Sequence, residues 1–314
     1  MRENFYHSHK LDQQTLSEFK ANDNALSYKR FFQQYLLFCL SAITILWPQD
    51  KASIIYWIAF FFVAIFSMSL FAITHETAHR TTFLQKKIND IVCFLVSVPI
   101  FYSPSLFRDF HAAHHRYTHK VLLDPEVTLL GKPVAQISSS WFMYLSFLTG
   151  LPLLLMKISM LIAAAIGRGS FIKNKFLPFI NEKNWSRVKW EARFVILLHL
   201  GLIFTSDYYG FFMALLLGHS LLSFYLAAEH DGLSHDGSIF ERTRSLSFGS
   251  LLNFIMWNMP FHAEHHAYPC IPWYALPKLS EVLKQDIIHK ESNLLLLHKN
   301  NFRALINKNQ TKQS

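Results

Sequence analysis

At 314 residues, 51% of them hydrophobic, with a mean hydropathy of +0.18, the chain is too apolar for an ordinary soluble domain. Its formal charge of +9 invites a nucleic-acid partner, but the placement of the basic residues points to a membrane surface instead. Three cysteines, Cys39, Cys93 and Cys270, have neither paired nor thiolate-site spacing, which argues against a disulfide framework.

In chain order, residues 1–30 are polar and of mixed charge, unlike a cleaved signal peptide, and are expected to form a cytoplasmic N-terminal segment. Phe31–Trp47 and Ala52–Thr74 follow as apolar runs with a turn near Lys51. About 20 apolar residues cross a hydrocarbon core roughly 30 Å thick, so the pair predicts a helical hairpin. The run Trp141–Ile166 is broken by Gly150, Pro152 and Lys157 and reads as interfacial or re-entrant. Val188–Ser206 and Tyr209–Glu229 predict a second hairpin turning at Asp207, with Trp190 and Arg193 at the interface because Phe194–Ser206 is short. Two such hairpins put 28 of the 30 Lys and Arg on one side, the cytoplasmic side by the positive-inside rule. The charge excess then reflects topology and contact with anionic headgroups, and no nucleic-acid partner is expected. The expectation is an all-helical integral membrane protein with four spans and a single domain, its core at 31–285 and a polar tail at 286–314.

The seventeen histidines carry the chemistry. His75 and His79 begin where the second apolar run ends; His111, His114 and His115 lie in the next polar segment; His262, His265 and His266 follow the last run. Spacings of three and four residues turn side chains to one helical face, so each group aims two or three imidazoles at a point. Eight clustered imidazoles exceed the needs of one catalytic zinc, which takes about three protein ligands, and suit two metal ions. His75-Glu76-Thr77-Ala78-His79 also fits the H-E-x-x-H pattern of a zinc protease, here an intramembrane one, though that reading leaves both triple groups unused. A metal-transporting membrane protein is the non-catalytic alternative, but it would place polar groups inside the spans. His7, His9, His199, His289 and His298 read as hydrogen-bonded structural residues.

The three groups, in their order, resemble the membrane fatty acid desaturase/hydroxylase superfamily, whose boxes run H-x3–4-H, H-x2–3-H-H and H/Q-x2–3-H-H. The likeness is strongest over Asn258-Met-Pro-Phe-His262-Ala-Glu-His265-His266-Ala-Tyr-Pro269, and over Phe107-Arg-Asp-Phe-His111-Ala-Ala-His114-His115 with Asp124-Pro125-Glu126 after it. The second stretch looks like bacterial desaturases and hydrocarbon oxygenases. The resemblance covers residues 31–285 and implies a cytoplasmic helical cap holding a di-iron centre that uses dioxygen as co-substrate. It implies one further ligand from the end of the last span, carried here onto His230, with His219 and His235 as rivals. Where acyl-CoA desaturases have an asparagine four residues before that histidine, this chain has Leu226. Glu76, Asp109, Glu229, Glu264 and Asn258 neighbour the boxes and are candidates to orient the imidazoles; His119 is assigned to the surface or to a supporting place. No His-Pro-Gly-Gly haem motif occurs, so the resemblance implies a separate electron donor of ferredoxin, rubredoxin or cytochrome b5 type. The leading expectation is a fatty acyl desaturase drawing a lipid chain from the bilayer. The alternative is a hydroxylase, monooxygenase or ketolase acting on an alkane, fatty acid or carotenoid.

Overall fold

The computed structural model describes residues 11–20, 23–47, 50–167, 169–247 and 249–310. His7 and His9 lie outside the described residues. The described chain is mostly helical: α1 Gln13–Phe19, α2 Asn24–Leu46, α3 Ile54–Ala78, α4 Lys86–Ser97, α5 Pro104–Tyr117, α6 Trp141–Leu148, α7 Leu151–Ile166, α8 Trp185–Leu202 and α9 Tyr208–Leu226 come first. Shorter helices follow: α10 Ile239–Arg242, α11 Ser250–Ile255, α12 His262–Ala267 and α13 Leu276–Val282, before α14 Leu294–Gln310. Two minimal strand pairs staple the loops, β1 Thr128–Leu129 antiparallel to β2 Lys132–Pro133, and β3 Ser245–Leu246 parallel to β4 Lys290–Glu291.

Two helices, α3 and α9, are long and apolar enough to cross a membrane. The count reaches four if the bent pairs α4–α5, with its short 3-10 extension, and α6–α7 are each one span, their axes turning by 98° and 70°. The expected spans of the first and last hairpins thus survive in α3 and α9. α2 packs on α3 as the first hairpin predicts, but α8 packs chiefly on α7 rather than on α9, so the second hairpin does not form as a packed pair. Both helices carry polar and charged residues in their first half, Lys29, Arg30, Gln33 and Gln34 on α2 and Arg187 to Arg193 on α8. Phe32, Leu36, Leu40 and Ile43 stay exposed along one stripe of α2, as do Phe194, Leu197 and Leu200 on α8. Apolar stripes of this kind suit lipid rather than water.

α3 packs between α2 and α9. The helices approach closely at Gly218, where an added Cβ would stand 1.9 Å from the Ser67 hydroxyl and 2.6 Å from the Ala64 carbonyl. At the end remote from the histidines, the Asp207 carboxylate accepts from Lys51 (2.9 Å), from the Tyr56 hydroxyl (2.6 Å) and from the Gly210 amide (3.1 Å), so it caps α9 while tying it to α3. Nearer the histidines, the fully buried Gln34 of α2 donates to the Phe254 carbonyl (2.7 Å). Its amide oxygen accepts from Ser69 of α3 (2.5 Å) and from the Trp257 indole (2.6 Å). One amide thereby fixes the segment leading to α12 against the helix that carries His75.

Gln34→Leu leaves a buried hydroxyl, an indole N–H and a carbonyl without their partner. It is expected to cost roughly 3 kcal/mol, a loss readable as a lowered unfolding temperature of the purified protein.

Candidate metal centre

His75 and His79 sit one turn apart at the C-terminal end of α3, which runs uncapped by glycine into a positive-φ residue, Arg80. α5 starts with Ser103 as N-cap and Pro104 in its first turn. The buried Glu191 of α8 holds that start, accepting from the Ser103 hydroxyl (2.8 Å) and from the amide and hydroxyl of Ser105 (2.8 and 2.9 Å). This anchorage sets the rotation of α5 and with it the directions of His111, His114 and His115. α12 is a single buried turn and a half. It is approached through two left-handed residues, Trp257 and Asn258 (φ 51° and 56°), and held by the Leu246 amide donating to the Pro260 carbonyl at 2.7 Å.

These elements bring all nine predicted histidines together as two groups. His75, His79, His111, His115 and His265 form one; His114, His230, His262 and His266 form the other, and within each group the ligand atoms lie within 4.8 Å of one another. The partition follows helical geometry. In α5 the i,i+4 pair His111 and His115 faces the first group, and His114, turned by one residue, faces the second. In α12 the pair His262 and His266 faces the second group and His265 crosses to the first. The groups adjoin where His115 stacks on His266 with ring centroids 4.2 Å apart.

Within the first group Nε2 atoms meet at 2.8 Å (His79 and His111), 3.0 Å (His111 and His115), 3.1 Å (His79 and His265) and 3.2 Å (His115 and His265). In the second, His230 and His262 meet at 2.8 Å, and His114 and His266 at 3.3 Å. Several Nδ1 atoms face fixed acceptors on the outside. His114 Nδ1 is 2.9 and 3.1 Å from the Asp124 carboxylate oxygens and 3.5 Å from Glu126, and His230 Nδ1 is 2.8 Å from the Arg242 carbonyl. His266 Nδ1 is 3.1 Å from the Thr118 hydroxyl, and His262 Nδ1 is 3.3 Å from Glu229. Glu76 lies 3.4 Å from His75 Nδ1 and 3.9 Å from His265 Nδ1. An Nδ1–H directed outward leaves the Nε2 lone pair directed inward. Lone pairs cannot hydrogen-bond to one another, so a set converging at such distances fits a cation at its centre. The neutral-nitrogen donor set suits iron, zinc or copper.

Burial reinforces the neutral state. It pushes His230 down to about 3, with the nearby His114 adding to the effect. It also pushes His262, His265 and His266 well below the ordinary imidazole range, followed by repulsion from neighbouring imidazoles. Burial raises Glu229 well above the usual carboxylate range, against the hydrogen bond from Tyr225. The pair His114 and Asp124 is the exception: burial would lower His114, but the Asp124 and Glu126 carboxylates push it up to about 9, and its charge and hydrogen bond hold Asp124 low against burial.

Three expected supporting residues lie elsewhere. Asp109, two residues before His111, is turned to the far side of α5, where it accepts from the Asn181 amide (2.9 Å) and the Asn184 side chain (2.8 Å). Glu264 is bonded by the Ser245 hydroxyl and Asn258 donates to the Trp273 carbonyl at 3.0 Å, neither to an imidazole. Glu76 and Glu229 lie 3.4 and 3.3 Å from the Nδ1 atoms of His75 and His262, close to the imidazoles but without a hydrogen bond to them. His119 is buried rather than superficial, its Nδ1 2.7 Å from the Ser234 carbonyl, and it belongs to neither group. His235 engages the His119 carbonyl at 2.8 Å, and His219 engages Lys157 at 3.0 Å. His298 contacts the Tyr144 hydroxyl and the Phe224 carbonyl, and His199 contacts Tyr208 and Val98, both as structural residues. Sequence reasoning missed Asp124, Thr118 and Arg242. Asp124 stands in the Asp-Pro-Glu string ten residues after His114, a usable signal; a backbone carbonyl such as that of Arg242 leaves none.

The pH dependence has a definite sign. Unfolded imidazoles protonate below about 6.5 whereas folded His230 resists until about 3, so the native state loses stability as pH falls through 6.5. Protons also compete with metal for the same nitrogens. Unfolding temperature and retained metal are expected to fall together on dialysis from about pH 8 to about pH 5. Asp124→Ala is expected to weaken metal binding roughly 10–100-fold in a chelator competition, while Asp109→Ala leaves it unchanged.

Residues 52–294 match the family model described as fatty acid desaturase. The chain is 22% identical over 227 residues to a sphingolipid delta(4)-desaturase of Candida albicans, covering 69% of this chain and 58% of that protein. It is 25% identical over 239 residues to a sphingolipid delta(4)-desaturase of Drosophila melanogaster, covering 72% and 65%. A zeaxanthin 4-ketolase of Chlamydomonas reinhardtii is 24% identical over 229 residues, covering 72% and 44%. The match thus spans less than two thirds of these relatives' own lengths. With a family match over most of its length and all nine histidines of the three boxes and His230 gathered in two adjoining groups, the chain belongs to the fatty acid desaturase family.

Proposed function

We propose that this protein is a dioxygen-dependent di-iron oxidoreductase that introduces a double bond into a fatty acyl chain of a lipid. The observation that carries the reading is the division of nine histidines, eight of them buried, into adjoining groups of five and four, each able to hold one metal ion. The ligands would be His75, His79, His111, His115 and His265 for one iron, and His114, His230, His262 and His266 for the other. Iron bound there would supply, with dioxygen, the oxidising power needed against an unactivated C–H bond. The chain's own residues do the rest. Asp124 fixes the tautomer of His114 from outside, the Thr118 hydroxyl that of His266 and the Arg242 carbonyl that of His230, while Glu76 and Glu229 lie close by. Burial of all the histidines but His79, which is half-buried, keeps water from the reacting carbon. Phe71, Tyr102 and Phe107 form an apolar wall against His75 and His111 along which a hydrocarbon chain can lie.

The histidine groups would face the cytoplasm, as the distribution of Lys and Arg favours, and a separate ferredoxin, rubredoxin or cytochrome b5 type protein would deliver electrons. A second reading, hydroxylation or ketolation of a hydrocarbon or carotenoid, is supported by the likeness to a ketolase and would use the same groups with a different chain placement. The zinc-protease reading is disfavoured, because His75 and His79 share their site with three further imidazoles and Glu76 faces His75 and His265.

Elemental analysis of the purified protein is expected to give about two irons per chain, and lipids of expressing cells a new double bond. His265→Ala and His114→Ala should each reduce iron and abolish the product, whereas His298→Ala should do neither. One zinc per chain with unchanged lipids would overturn the reading; a new hydroxyl or keto group would select the second.

A further inference from the structure

Lys157 is an ionisable amine deep among apolar side chains. It lies on the inward face of α7 and is 1% exposed. Its Nζ is 3.0 Å from His219 Nε2 on α9. His219 Nδ1 lies 2.7 Å from the Leu215 carbonyl one turn earlier, so Nδ1 carries the proton and Nε2 accepts from the Lys157 amine. That bond uses one of its donors. The others face the Tyr102 ring, with its centroid at 4.1 Å and that of Phe71 at 5.8 Å. Among the described residues no carboxylate lies within ion-pairing distance of Lys157. An ionisable amine buried without a counter-charge is costly, which marks it as a candidate functional group rather than a mere packing residue.

Its place is as informative as its isolation. Tyr102 packs against Phe71 (6.1 Å between centroids) and Phe107 (4.8 Å). Phe71 stands one turn before His75, 6.4 Å away, and Phe107 stacks on His111 at 5.3 Å. One layer of aromatic rings therefore separates Lys157 from the five-histidine group. The register is held independently: an added Cβ at Gly150 would stand 2.4 Å from the His219 carbonyl carbon and 2.3 Å from the Ser220 amide, and the Ser220 hydroxyl donates to the Thr149 carbonyl at 2.5 Å. The bend between α6 and α7 is thus clamped on α9 at His219 itself, two turns from Lys157.

We infer that Lys157, supported by His219, binds an oxygen function of the lipid substrate, a carboxylate, hydroxyl or carbonyl, and thereby sets which carbon reaches the five-histidine group. The inference rests on the oxidation of a lipid chain proposed above and specifies its positional control. α3, α7 and α9 hold Lys157 at a fixed remove from His75 and His111, so the bound oxygen and the oxidised carbon are separated by a fixed length of chain. A chain without such an oxygen would have no anchor and would be oxidised poorly or at several positions.

The test uses cells expressing the full chain, fed a saturated fatty acid, the matching fatty alcohol or the matching alkane, with product positions read by mass spectrometry. Metal content and unfolding temperature are measured on the purified proteins. Wild type should favour the oxygen-bearing chains and give one position. Lys157→Met should keep metal and unfolding temperature but lose up to roughly tenfold of the preference over the alkane, the effect of one hydrogen bond, and spread the product over neighbouring carbons. Lys157→Arg should retain a single position. Unchanged preference and position in Lys157→Met would overturn the inference. So would an unchanged position with metal and unfolding temperature both lowered, the signature of a mere tie between α7 and α9. A wild type that leaves every lipid unaltered fails the oxidation reading itself, and the inference with it.

Discussion

The structure turns on the mutual exclusion of lone pairs. Eight of the nine imidazoles present nitrogens to one another at hydrogen-bonding distances, with His75 beside them, yet those with Nδ1–H groups directed outward have no inward proton to share. Such an arrangement is tolerable only around positive charge, and protonating the rings themselves is opposed by burial. The surrounding protein can be understood as the apparatus that holds these rings in place against their own repulsion.

That apparatus is assembled from polar contacts inside an otherwise apolar bundle. Gln34 joins α2, α3 and the approach to α12; Glu191 of α8 fixes the start of α5; Arg242 links its own carbonyl under His230 to its guanidinium on the Thr118 carbonyl, 2.6 Å away. Each connects a histidine-bearing element to another that bears none or a different set. Because such groups are expensive to bury unpaired, each bond specifies one arrangement of the helices rather than merely adding stability.

The outside obeys a different solvent. Exposed apolar stripes on α2 and α8, and the close approach of α3 and α9 at Gly218, are what a bundle in lipid needs, where packing and polar pairing rather than water exclusion hold helices together. Lys157 stands out against this background, being charged in type, deep, and turned toward the aromatic wall beneath the five-histidine group.

Much of this was written in the sequence. Run lengths mark α3 and α9 as spans because hydrocarbon thickness sets a length, and the spacing within each box follows from the helical repeat, which turns residues three and four apart to one side. His230 was reachable through family likeness alone. What the sequence could not hold is how α3, α5 and α12 are rotated against one another, since that is decided by contacts between residues dozens of positions apart. Only the tertiary structure therefore assigns His114 and His265 away from their box neighbours, turns Asp109 outward while bringing Asp124 to His114, and sets Lys157 beside His219. The local repeat fixes the direction of a side chain relative to its own helix; packing fixes what lies in that direction.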